Sequence, residues 1–92
     1  MRLIHAGSAS CEDEQGCQMK MDYYITVKEI GLEAFGIESY GIRIEQERNG
    51  VKSAAQIDDI TCSGNEIDLM VCLMQKGTVT PVALEDMVKE MV

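Results

Sequence analysis

Four cysteines are the residues of this sequence most suited to chemistry. Cys11 and Cys17 have five residues between them, and Cys62 and Cys72 have nine, whereas paired ligands of structural zinc sites usually have about two to four. The spacing therefore predicts no metal site and no cofactor. Cys62 precedes the predicted start of a helix, where the helix dipole favours a thiolate, and it is the candidate reactive thiol.

The other polar residues predict no catalytic site. A serine or threonine nucleophile needs an activating base, and His5, the single histidine, lies in a segment that we expect to be a tail. Asp58 and Asp59 are neighbours on a predicted strand, so their side chains should point to opposite faces. Gly36 and Gly41 are not followed by the lysine and hydroxyl residue of a phosphate-binding loop. We therefore expect no enzymatic activity.

Composition and charge exclude several classes of partner. Eight basic residues stand against sixteen acidic ones, with a net charge of -8 and no tryptophan, which disfavours a nucleic-acid surface. No apolar run approaches the roughly 20 residues that span a bilayer, and the first residues lack the apolar core of a signal peptide. We expect no nucleic-acid partner, no membrane, and a cytoplasmic protein with reduced cysteines.

The length of 92 residues allows one small domain. Residues 1–20 have no apolar period and predict a flexible tail, which leaves 21–92 as the domain. The segment 31–39 predicts a connection, with one helical turn at 32–35. Alternation of apolar and polar residues predicts three strands, over 22–30, 39–48 and 51–60.

The last two strands are joined by the strongest local signal in the chain. Asn49-Gly50 favours a two-residue type I′ turn, because both residues tolerate a positive φ. That turn sets Arg48 opposite Val51. The resulting register brings apolar residues together on one face and opposite charges together on the other: Ile42 with Ile57, Ile44 with Ala55, and Glu47 with Lys52.

A first helix is predicted over 63–76. Ser63 and Glu66 have the spacing of a capping box, in which each side chain satisfies a main-chain N–H of the first turn. Gly77 follows the last apolar residue of the helical period, and we expect it to be the left-handed residue that ends the helix.

A second helix is predicted to begin at Thr80. This residue is the expected N-cap, and Pro81 takes the first helical position, where its missing N–H costs nothing. Glu85 and Lys89 form an i,i+4 pair of opposite charge on the outer side of this helix.

The apolar arc of the first helix covers roughly 200°, about twice what one packing surface requires. Two interpretations are open. The helix could lie between the sheet and the second helix, or its outer side could be a surface for self-association. In the second case the interaction surface contains Leu69, Cys72 and Leu73.

Three segments carry a resemblance to a known family. They are Tyr40-Gly41-Ile42, the stretch 59–63 with the sequence DITCS, and the stretch 78–88 with the sequence TVTPVALEDMV. In these segments the chain resembles a family of unknown function, made of short single domains from clostridia and related Gram-positive bacteria. The resemblance covers about residues 22–92 and implies no activity.

The predicted fold is α+β, a small three-stranded antiparallel sheet with two C-terminal helices packed on one face. The predicted function is that of a small soluble, non-enzymatic interaction or regulatory module. Such a module would form a homo-oligomer or bind a protein partner. The alternative is a thiol-based redox or metal-binding protein that uses Cys62 or Cys72.

Overall fold

The chain folds into one antiparallel sheet with two C-terminal helices on one face, in a computed structural model that describes residues 1–30 and 36–91. The α+β class is therefore confirmed, while the helical turn expected at 32–35 lies outside the described residues. The order of strands in the sheet follows the order in the chain. The elements are β1 (Arg2–Glu12), β2 (Gln18–Ile30), β3 (Ile37–Arg48), β4 (Val51–Thr61), α1 (Gly64–Lys76) and α2 (Leu84–Met91).

Over the described residues the sheet has four strands, and the prediction of three is wrong. The additional strand, β1, lies within residues 1–20, the segment for which we predicted a flexible tail. Its positions that face the helices carry small residues, including Gly7 and Ala9, which pair with Tyr23 and Met21 of β2. An added Cβ at Gly7 would overlap the side chain of Gln75 on α1. The small residues of this strand leave room for the Gln75 side chain where α1 crosses it, and they remove the apolar period.

The β3–β4 hairpin confirms the predicted turn and register. Asn49 and Gly50 have φ values of 51° and 76°, as a type I′ turn requires. The observed pairs are those predicted: Arg48 with Val51, Glu47 with Lys52, Ile44 with Ala55, and Ile42 with Ile57.

The regular pairing of β4 ends in a bulge. Tyr40 pairs with Thr61, so the register shifts after the Ile42–Ile57 pair, and Asp59 has a φ of 56°. Asp58 and Asp59 thus lie in an irregular segment and not in the regular strand that we predicted. Gly41 faces this segment, and a Cβ there would lie 2.6 Å from Thr26 Oγ1, so the close approach requires glycine.

The core lies between the sheet and the helices. The two central strands and α1 supply most of it, and α2 and the segment before α2 complete it. The buried apolar residues are Met21, Tyr23, Ile25, Val27, Ile42, Ile44, Ile67, Met70, Val71, Met74, Val79, Leu84 and Val88.

The start of α1 is fixed by three hydroxyl and carboxylate groups. Ser63 is the N-cap, and its Oγ accepts from the Glu66 N–H at 3.2 Å, as predicted. The Glu66 carboxylate, however, does not bond Ser63 directly. Thr61 Oγ1 accepts from the Ser63 N–H at 3.1 Å and donates to Glu66 Oε2 at 2.8 Å. The capping box is therefore closed through the Thr61 hydroxyl group.

The left-handed residue at the end of α1 is Thr78, and the prediction that it is Gly77 is wrong. Gly77 has a φ of -85° and Thr78 a φ of 49°. The Val79 N–H donates to Met74 O at 3.0 Å and the Thr78 N–H donates to Gln75 O at 3.2 Å. These two bonds are those of a Schellman motif, in which Thr78 occupies the position that usually carries glycine.

The second helix begins later than predicted. Thr80 is extended and makes no capping bond with its side chain, and Pro81 opens a single 3₁₀ turn, Pro81–Ala83, that precedes α2. The predicted pair on this helix is present, with Lys89 Nζ 3.3 Å from Glu85 Oε1.

Candidate functional site

One side of α1 carries exposed apolar residues. Leu69 and Leu73 are 62% and 48% exposed, and Cys72 between them is exposed as well. The opposite side of the helix is buried and contacts the sheet. The interpretation that α1 is enclosed between the sheet and α2 therefore fails for these three residues, which we call the α1 patch.

The α1 patch offers a modest but rigid apolar surface. The exposed fractions of Leu69 and Leu73 amount together to about one whole leucine side chain, whose burial is worth roughly 1.5–3 kcal/mol. Asp68 and Lys76, both exposed, lie beside the patch on the same helix. Because α1 contacts all four strands and is capped at both ends, the patch is held in place before any partner binds.

The candidate thiols are exposed but do not form one centre. Cys62 and Cys72 are separated by most of α1, or roughly 13 Å at 1.5 Å per residue, which is more than twice the usual Cα separation in a disulfide. Cys11 and Cys17 are half-buried, and Cys17 Sγ accepts from Asn49 Nδ2 at 3.3 Å. Within residues 1–30 and 36–91, no three side chains of metal-binding type converge.

The sheet places His5 in a group of polar side chains that the sequence analysis did not foresee. His5 lies opposite Tyr24 in the β1–β2 ladder, on the face of the sheet away from the helices. Its Nε2 lies 3.0 Å from Asp22 Oδ1, and its ring meets the Tyr24 ring edge-on with 5.2 Å between centroids. The alternation of polar residues in β2 indicates that Asp22 and Tyr24 share one face of the sheet. It cannot indicate that His5 joins them, because His5 lies on β1, a strand that the sequence does not predict.

The same face continues across β3 and β4. Arg43 Nε donates to Glu45 Oε2 at 2.8 Å, and Arg43 Nη1 donates to Gln56 Oε1 at 3.1 Å. Partial desolvation, and after it the Glu45 carboxylate, raises the pKa of Tyr24. Hydrogen bonds and ion pairs thus extend across the outer face from β1 to β4.

A shallow depression of about 390 Å³ lies on this outer face. Its charged lining is balanced, with three bases and three acids: Lys20, Arg43 and Lys52 against Asp22, Glu45 and Glu47. A balanced lining provides no excess of one sign for a phosphate or a metal ion. The His5–Asp22 pair beside it is about half exposed, and no wall separates it from water, as general acid–base sites usually require.

The family of the chain is shown by a comparison with protein-family models. The model of a family of unknown function, DUF6514, matches residues 2–92. The chain belongs to this family. The match includes β1, so it extends beyond the resemblance over 22–92 that the sequence motifs indicated. Comparisons with curated proteins and with solved structures found no significant match.

Neither α1 nor α2, nor the 3₁₀ turn between them, has the length and hydropathy that a transmembrane helix needs.

Proposed function

We propose that this protein is a small non-enzymatic interaction module that self-associates or binds a protein partner through the α1 patch. The observation that carries the proposal is the exposure of Leu69, Cys72 and Leu73 on a helix whose other side is buried. Contact with a partner would remove this apolar surface from water, which is the main favourable term in protein association.

The rigidity of α1 supports both forms of this proposal, whereas the charge of the protein supports only binding to a partner. Because caps and packing fix α1, binding would cost little conformational entropy. The net charge of -8 would favour association with a basic surface and would increase the rate of encounter.

The proposal includes a cytoplasmic location in a bacterium. All four cysteines are free thiols, a state that a reducing compartment maintains. The bacterial source is supported by the sequence resemblance alone.

The proposal is tested by replacing the two exposed leucines together, with Leu69→Ser and Leu73→Ser in one chain. Val82→Ser is the matched control, because Val82 is 92% exposed but lies outside the α1 patch. Self-association is measured by sedimentation equilibrium, and partner binding by affinity capture with the wild-type chain as bait. We expect the double variant to weaken association by about tenfold, equivalent to ~1.4 kcal/mol, while the control behaves as wild type.

Two results would contradict the proposal. One is a wild-type chain that stays monomeric at all concentrations and retains no partner. The other is an association that the double variant leaves unchanged.

Exposure of Cys62 and Cys72 favours a second candidate, a redox or metal-binding protein that acts through single thiols. Thiol titration of the native chain, beside Cys62→Ser and Cys72→Ser variants, tests it. Rapid reaction of one thiol, absent from the matching variant, is expected on this hypothesis. Slow reaction of both thiols, together with no metal retained after incubation with zinc, would remove it.

A further inference from the structure

The two edges of the sheet differ in how they are protected. On β1, Gln75 Nε2 of α1 donates to Ser8 O at 3.0 Å, and the register shifts between His5 and Gly7. A side chain and an irregularity thus interrupt that edge. On β4 the bulge lies beyond Ile57. From Val51 to Ile57 the pairing with β3 is regular, and no described side chain bonds the main chain on the open side of this stretch.

The hairpin turn determines which main-chain N–H and C=O groups of β4 are not paired with β3. A type I′ turn makes Arg48 and Val51 a hydrogen-bonded pair, so the main-chain groups of alternate residues from Val51 onward point to β3. Those of Lys52, Ala54 and Gln56 therefore point away from the sheet. Unpaired main-chain groups of this kind are a template for another strand.

The stretch 51–57 also has few of the features that usually block strand addition. It has no proline and no inward-pointing charge, and Lys52, its single charged residue, lies beside the turn. Ala54, at its centre, is exposed and small, so a neighbouring strand meets no bulky side chain there.

We propose that β4 pairs with β4 of a second copy of this chain, antiparallel and about a two-fold axis at Ala54. This inference goes beyond the proposed function, because it uses the sheet edge and not the α1 patch. Ala54 would lie opposite Ala54 of the second copy, and Lys52 opposite Gln56 of the second copy. The pairing would add about six main-chain hydrogen bonds and produce a continuous eight-stranded sheet.

The side chains of β4 complement one another in this register. Val51, which is 69% exposed, lies opposite Ile57 of the second copy on the helix side of the sheet. Lys52 lies diagonally across from Asp58 of the second copy, within reach of an ion pair. No like charges are opposite each other, so this register supplies a local charge complementarity that favours a second copy, against the repulsion between two chains of net charge -8.

The first test replaces Ala54 by proline. Proline removes only an outward N–H, so pairing with β3 is retained while pairing with a second copy is blocked. Ser10→Pro is the matched control, because Ser10 is two residues from Ser8, whose main chain also points outward. By sedimentation we expect a dimer for the wild-type chain and for Ser10→Pro. In Ala54→Pro we expect association to be weakened at least tenfold, so that the monomer predominates, with unchanged circular dichroism.

The second test does not depend on the folding of the proline variant. In a chain with Cys62→Ser and Cys72→Ser, Ala54→Cys should form an intermolecular disulfide on mild oxidation, since residues in a hydrogen-bonded antiparallel pair have Cα atoms about 5.5 Å apart. Lys52→Cys is the control. In the proposed register residue 52 lies opposite Gln56 of the second copy, so the two introduced cysteines would be too far apart to form a disulfide. Peptide mapping identifies the joined cysteines.

Three results would overturn the inference. They are a wild-type monomer at all concentrations, a dimer that survives Ala54→Pro, and equal cross-linking of the two cysteine variants. A dimer that is lost in the Leu69→Ser and Leu73→Ser chain but retained in Ala54→Pro would support the α1 patch and reject the edge. Loss in Ala54→Pro alone would support the edge and reject self-association through the α1 patch, so that only the partner-binding form of the proposed function would remain.

Discussion

Tyr23 is the residue that most directly joins the sheet to the segment between the helices. Its ring is fully buried in the centre of β2, and its hydroxyl group donates to Val79 O at 2.8 Å. Burial, with a smaller contribution from Cys11, raises the pKa of Tyr23 to about 12 from its ordinary value of 10.0. The folded chain therefore retains the Tyr23 proton at a pH where the unfolded chain releases it.

This difference predicts a loss of stability at high pH. The contribution of Tyr23 is fully present below pH 10 and is lost as the pH rises toward 12, because only the unfolded state then ionises readily. At about 1.4 kcal/mol per pKa unit, the loss is roughly 2–3 kcal/mol by pH 12. Urea unfolding at several pH values between 8 and 12 measures this loss in the free energy of unfolding.

The control for this prediction is Tyr23→Phe. We expect it to be about 1–2 kcal/mol less stable at pH 8, because Val79 O loses its buried partner, but to depend less on pH. Desolvation also raises the pKa of Tyr24 and Tyr40, so some dependence should persist. Identical slopes in the two chains would contradict the assignment to Tyr23.

At the scale of elements, the end of α1 contains a conformation that its sequence does not favour. Thr78 is β-branched and has a φ of 49°, a region that costs a non-glycine residue about 1–2 kcal/mol. Gly77, next to it, has a φ of -85° that any residue adopts. The glycine is thus one position before the place where it would relieve strain.

Thr78→Gly should therefore stabilise the protein by about 1 kcal/mol, which corresponds to roughly 4–8 °C in Tm for a domain of this size. Gly77→Ala, the matched substitution, should change stability little, because the nearest main-chain atom to the added Cβ is Leu73 O at 3.4 Å. Thermal unfolding of both variants tests whether the strained residue is Thr78. Destabilisation by Gly77→Ala with no gain from Thr78→Gly would indicate that Gly77 is the left-handed residue after all.

The elements that could be predicted from the sequence are those specified by neighbouring residues. Asn49-Gly50 fixes its own dihedral angles and thereby the register of β3 with β4, and Ser63 caps α1 within one turn. By contrast, β1 is packed against α1, a distant element whose Gln75 side chain occupies the space beside Gly7. A strand without an apolar period cannot be recognised from its own residues.

For a similar reason, the exposure of the α1 patch could be predicted from the sequence only as one of two interpretations. The sequence shows a wide apolar arc on α1, but the arc does not reveal which part another element covers. The 3₁₀ turn Pro81–Ala83 contacts β3 and β4, and α2 then packs on β4. That path leaves Leu69 and Leu73 in contact with solvent, and it depends on contacts between distant residues.

At the scale of the whole molecule, the fold is a sheet with helices on one face only. β2 and β3 are central because β1 and β4 flank them, and the outer face is held by polar pairs such as His5 with Asp22 and Arg43 with Glu45. In a domain this small, each strand supplies a large share of the buried surface. The stability of the molecule should therefore depend on β1, although its own residues are small.

Deleting residues 2–12 tests this dependence. The deletion would turn β2 into an edge strand, remove the cover that Ala9 provides beside Met21, and leave Gln75 without its bond to Ser8. We expect a fall in Tm of at least about 10 °C, equivalent to roughly 2 kcal/mol or more, together with a greater tendency to aggregate. A flexible tail at the same position would leave Tm unchanged.

The matched control keeps the strand and alters only its exposed side. Ser8→Thr with Ser10→Thr places β-branched residues at exposed positions of β1, where they favour the extended conformation. This chain should unfold at the wild-type temperature or slightly above it. A gain in the threonine chain and a loss in the deletion would together show that β1 acts as a strand in solution, since neither change would affect the stability of a chain whose first 20 residues are disordered.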